Sequence, residues 1–79
     1  MSNVIDLRGD GASYTGDFTP GKTWRLFDLY SKGILGGIGD VLIWNTPIGP
    51  AQGVIVETGW ENCPLPTYWA EVEVMEWSK

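Results

Sequence analysis

The run Gly16-Asp17-Phe18-Thr19-Pro20-Gly21-Lys22-Thr23 matches the phosphate-loop pattern G-x-x-x-x-G-K-[ST] at every position. That chemistry needs backbone N–H groups curled around phosphates, a lysine reaching the terminal ones and a hydroxyl on Mg²⁺. Its setting is a buried strand before the loop and a helix after it. Here Ala12-Ser13-Tyr14-Thr15 is no buried strand, Asp17 would aim negative charge into the cradle, and Pro20 has no N–H to donate. A chain of 79 residues is also too short for the parallel α/β sheet that carries such a loop. The run reads as a Gly/Pro turn before a capped helix, and no nucleotide cofactor is expected.

The remaining reactive groups are sparse. Cys63 is the single cysteine and the chain has no histidine, so the thiol has no base to activate it. The same inventory leaves no zinc ligand set and no intrachain disulfide. Glu71 and Glu73 stand at i, i+2, about 7 Å apart if the segment is a strand. Glycosidase pairs span a cleft between separate elements, so these two read as an acidic stripe, solvated or lining an interface. Arg8-Gly9-Asp10 spells an adhesion tripeptide, but three common residues meet by chance, and residues 1–11 have neither the basic nor the apolar region of a signal peptide. No catalytic residue, metal or cofactor is expected.

One segment has the make-up of a nucleic-acid surface. Trp24 and Tyr30 could stack bases while Lys22, Arg25 and Lys32 meet phosphates. In the competing reading the aromatics are core and the cations form a solvated face. Charge bears on the choice. With 5 basic and 10 acidic side chains the net charge is −5, and residues 33–78 contain no basic residue at all. Net acidity opposes non-specific binding to phosphates, although a local basic face can sit on an acidic body.

The elements that would position these groups are short. Eleven glycines and five prolines punctuate brief apolar runs, the spacing of an all-β domain. Residues 3–7 read as a short strand ended by the turn-forming Arg8-Gly9-Asp10-Gly11, and residues 12–20 as loop. Residues 20–32 are framed as a helix by Thr19 as N-cap, Pro20 at the first position, Lys32 in the last turn and Gly33 beyond it. Against that frame, Trp24, Leu26 and Tyr30 also fit one face of a strand. Gly39-Asp40 opens Val41-Leu42-Ile43-Trp44, apolar on both faces and so expected to be buried on both. Gly53 opens Val54-Ile55-Val56-Glu57, closed by Thr58-Gly59, and Asn62-Cys63-Pro64-Leu65-Pro66 holds too much proline for a central strand. In residues 68–77, Tyr68, Ala70, Val72 and Val74 alternate as a core face. Trp69, Glu71, Glu73, Met75 and Trp77 take the other face.

Five tryptophans, three tyrosines and two phenylalanines are more than one small core can hold. Some belong on an outer face, as an interface or a stacking surface. A domain this small has a thin stability margin and no staples, which makes a homo-oligomer the expectation. No apolar run approaches the roughly 18–20 residues of a membrane span. A free thiol without an export signal fits the cytoplasm.

Taken together, GDVLIW at 39–44, GVIVE at 53–57 and YWAEVEVMEW at 68–77 resemble small phage proteins, of marine-phage type, with a strongly bent Src-homology-type or Sm-like barrel. The resemblance covers about half of the chain. It implies a mainly β, five-stranded barrel, with one short helix near residues 20–32, whose edge strands pair between subunits to close a ring. Relatives of Sm-like fold commonly bind RNA, but the two RNA-contacting loop motifs of the Sm family cannot be placed on this sequence.

Two functions are therefore expected to compete within one domain spanning residues 1–79. The first is a non-catalytic oligomeric Sm-like module binding RNA or single-stranded nucleic acid through Lys22, Trp24, Arg25, Tyr30 and Lys32. The second is a phage structural or protein-interaction protein, of the infected cell's cytoplasm, using the same edges and tryptophans. In either case Trp44, Trp69, Met75 and Trp77 are the expected interface residues.

Overall fold

The computed structural model describes residues 3–11, 13–28, 36–62 and 64–77. Tyr30, Lys32 and Cys63 lie outside the described residues. The fold is mainly β: β1 (Val4–Asp6), a 3₁₀ turn at Arg8–Asp10, β2 (Thr23–Asp28), β3 (Val41–Thr46), β4 (Gly49–Asn62) and β5 (Pro66–Val74). These strands form one five-stranded sheet in the order β1-β3-β4-β5-β2. Every neighbouring pair is antiparallel except β1 and β3, which run parallel.

Gly39-Asp40 opens β3 for a physical reason. Gly39 sits at φ 95°, where a side chain would be strained. The Asp40 carboxylate accepts from the Gly37 N–H at 2.9 Å and from the Asn3 N–H at 3.2 Å. One carboxylate thus holds both the turn and the start of β1.

The long strand β4, 14 residues, bends the sheet. Its first part pairs with β3, from Thr46↔Gly49 to Val41↔Val54, and its second part pairs with β5, from Gly53↔Val74 to Asn62↔Pro66. The partners overlap only near Gly53, and a β-bulge follows between Ile55 and Glu57. A Cβ on Gly53 would stand 2.5 Å from a Val72 methyl and 2.7 Å from the Glu73 carbonyl oxygen. Glycine lets β5 cross close to β4 at the bend.

The concave side of the bend holds the core: Leu42, Trp44, Ala51, Ile55, Ala70, Val72 and Val74, with Phe18 closing it. Among the described residues the end strands β1 and β2 are not paired, and the sheet is not closed. Near one end of that gap a loop takes the place of strand pairing. Tyr14 N–H bonds the Asn45 carbonyl, continuing the line of β1 along β3, and Gly21 N–H bonds the Val74 carbonyl, continuing β2 along β5. Between these two anchors Phe18 drops inward, its ring 5.2 Å from that of Trp24 and 5.5 Å from that of Trp44.

Two expectations need correction. Residues 23–28 are a strand, not part of a helix. Gly21 at φ 91° and the Lys22 N–H to Thr19 carbonyl bond make a turn where the helix would have begun. Beyond it, pairing with β5 places Trp24 and Leu26 against the core, and that burial outweighs the weak local caps. Trp44 is fully buried inside the subunit and cannot serve an interface.

Candidate interaction surface

Strands β2, β5 and β4 present a second face to the outside, and its composition follows from register. Arg25 stands opposite Glu71, which stands opposite Glu57; Phe27 stands opposite Trp69, which stands opposite Gly59; Thr23 stands opposite Glu73. Residues directly opposite share a face. The bulge after Ile55 leaves Val56 and Glu57 exposed in succession.

Trp69 organises this face. A Cβ at position 59 would lie 2.5 Å from the Trp69 ring, so the absence of a side chain at Gly59 gives the indole room to lie over β4. The Arg25 guanidinium carbon sits 3.9 Å from the Trp69 ring centroid, a cation–π contact worth about 0.5–1 kcal/mol at an exposed site. The same guanidinium reaches Glu71 at 3.5 Å and Glu61 at 3.7 Å. Phe27 continues the apolar strip and is 45% exposed. The result is an aromatic strip that runs from β5 onto the edge strand β2, with Arg25 among Glu57, Glu61, Glu71 and Glu73.

Of the residues expected to contact nucleic acid, the three that are described, Lys22, Trp24 and Arg25, do not share one face. Trp24 packs against the core, 5.1 Å from Trp44 and 5.9 Å from Tyr14. Arg25 is on the outer face among carboxylates. Lys22 precedes β2 and by strand alternation takes the side opposite Arg25, where its charge acts on Asp17. The expected interface residues divide as well. Trp69 and the exposed Met75 reach the surface. Trp77 lies beyond the end of β5 at Val74 and does not share their face. Its indole N–H donates to the Phe18 carbonyl at 2.9 Å and its ring packs on the core.

Sequence reading missed Phe27 and Trp60 as surface aromatics. Trp60 is 62% exposed, its ring 5.2 Å from that of Tyr68 at the far end of the β4–β5 hairpin. Thr58-Gly59 looked like the end of a strand; β4 runs through it, and only the pairing with β5 reveals that.

The phosphate-loop-like run has its amides committed elsewhere. Thr19 N–H donates to the Asp17 carboxylate at 3.2 Å, Gly21 N–H to Val74 and Lys22 N–H to Thr19. Pro20 has none, and β2 follows where a helix would be required. In the Arg8-Gly9-Asp10 run, Arg8 is tied bidentately to Asp6 at 2.8 and 2.9 Å, and this pairing lowers the Asp6 pKa to about 2. Among the described residues no group of three or more acidic or thiol side chains could hold a metal ion. No helix among them is long and apolar enough to cross a membrane.

Comparison of the chain with protein-family models, curated proteins and solved structures finds no match.

Proposed function

We propose that the chain is a non-catalytic protein-interaction module whose copies assemble through the outer edge of β2 and the Trp69 strip beside it. The phage structural reading of the Sm-like pattern, in the cytoplasm of an infected cell, is the setting this favours. The observation that carries the proposal is the position of Arg25. Arg25, one of the three cations expected to meet phosphate, is stacked on Trp69 and held between Glu61 and Glu71. A phosphate approaching this face would meet four carboxylates, whereas a protein partner can cover Trp69 and Phe27 and leave the charges at a wet rim. Strand β2 has a paired neighbour on one side only among the described strands, and an unpaired edge is a template for another strand.

The test is mass measurement by light scattering at micromolar concentration. The parent is expected well above the 8.7 kDa of one chain. Phe27→Lys, which places a charge on the edge, and Trp69→Ala, which removes an anchor worth about 2 kcal/mol or more, should each return it toward a single chain while circular dichroism is retained. A parent that is strictly monomeric defeats the proposal. Nucleic-acid binding is the weaker reading, resting on Lys22 and on the family resemblance. A titration with single-stranded RNA that saturates at low salt and is lost in Lys22→Ala would restore it.

A further inference from the structure

A concavity of about 330 Å³ lies between the loop that carries Phe18 and the β3–β4 turn, away from the Trp69 strip. Small-molecule sites run from roughly 300 to 1,000 Å³, so this one suits a single small ring. One part of its lining is apolar: Trp77, Phe18 and Ile48. Trp77 is held in place by the bond from its indole N–H to the Phe18 carbonyl, and Ile48 is 60% exposed. The other part is polar: Asp17, Thr15 and Thr46. The Oδ1 of Asp17 accepts from both the Thr19 N–H and the Thr19 hydroxyl, the latter at 2.6 Å. Its Oδ2 has no partner among the described residues. These bonds hold the carboxyl below its ordinary range, so it is an anion at neutral pH. Among the described residues no lysine or arginine lines the concavity.

This combination selects a ligand class. Phosphates and carboxylates are repelled by Asp17 at the wall itself, while Lys22, which acts on Asp17, stands outside the lining and offers them no direct contact. A wholly apolar ligand would strip water from the carboxylate without replacing its hydrogen bonds. A neutral ring with an apolar C–H face and a hydroxylated edge satisfies both walls. We propose that the concavity binds an uncharged pyranose residue, its C–H face against Trp77 and one hydroxyl donating to Oδ2 of Asp17. The site stands independently of assembly through β2.

The test is a titration of ¹⁵N-labelled protein with the methyl glycosides of glucose, galactose, mannose and N-acetylglucosamine. At least one should shift the Trp77 indole resonance and the amides of residues 15–19, saturably and in the millimolar range. Asp17→Asn should weaken that binding about tenfold, because a hydrogen bond to a charged acceptor becomes one to a neutral acceptor. Thr15→Val, a milder change at the exposed rim, should weaken it less, and unchanged dispersion of the remaining amide resonances in Asp17→Asn separates a lost contact from a folding defect. No saturable shift with any of the four glycosides overturns the proposal, as does a stronger response of the same resonances to choline or to inorganic phosphate.

Discussion

Trp69 and Gly59 stand opposite each other in the β4–β5 ladder, and the missing side chain of one is the space taken by the ring of the other. The Arg25 guanidinium, 3.9 Å from the ring centroid, depends on that arrangement. Gly59→Ala is therefore expected to push Trp69 out of place and to cost about 1–3 kcal/mol, the usual range for overpacking. Urea unfolding measures the loss. An accompanying change in tryptophan emission would tie it to the indole.

Trp44 lies at the centre of the aromatic cluster with Phe18 and Trp24, yet its indole N–H has no hydrogen-bond partner among the described residues. Trp44→Ala should cost about 3–5 kcal/mol, enough to abolish cooperative unfolding in so small a domain. Trp44→Phe keeps much of the packing and removes a polar group that is already unpaired, so its loss should be clearly smaller. Thermal melts of the two variants separate packing from the N–H.

Asp6 contributes to acid sensitivity with a definite sign. Arg8 lowers its pKa from 3.8 to about 2 in the folded chain. The contribution to stability is fully present above pH 3.8 and is lost as pH falls toward 2. Both side chains are 46% exposed, so the effect should be small and should shrink with added salt. NMR titration of the Asp6 carboxyl should show its pKa rising toward the ordinary value in Arg8→Gln.

No nucleotide should bind at residues 16–23. The N–H groups of Thr19, Gly21 and Lys22 already donate within the protein, and Asp17 opposes phosphate. Calorimetry with ATP or GTP and Mg²⁺ should give no binding heat. A micromolar affinity that disappears in Lys22→Ala would contradict this.

Edge pairing is also open to a backbone test. The amides of β2 that face away from β5 should exchange more slowly at assembling concentrations than at high dilution. Concentration-independent exchange there, alongside a mass above one chain, would move the contact to another surface.

Much of the fold was legible because it rests on period-two patterning. Val41-Leu42-Ile43-Trp44 became a central strand, and Tyr68, Ala70, Val72 and Val74 became a core face, since alternation and glycine turns act locally. Net acidity and the lone cysteine were equally plain. Tertiary structure decided what alternation cannot carry across a bend or past a strand's end. It made residues 23–28 a strand, because pairing with β5 outweighs local caps. It joined Pro50, Gly53 and Gly59 into one bent strand, because each of two partners holds a different part of it. It buried Trp44, turned Trp77 inward and left Phe27 and Trp60 outside. Whether an aromatic ring becomes core or surface depends on which strand lies across from it, and that neighbour comes from a distant part of the chain.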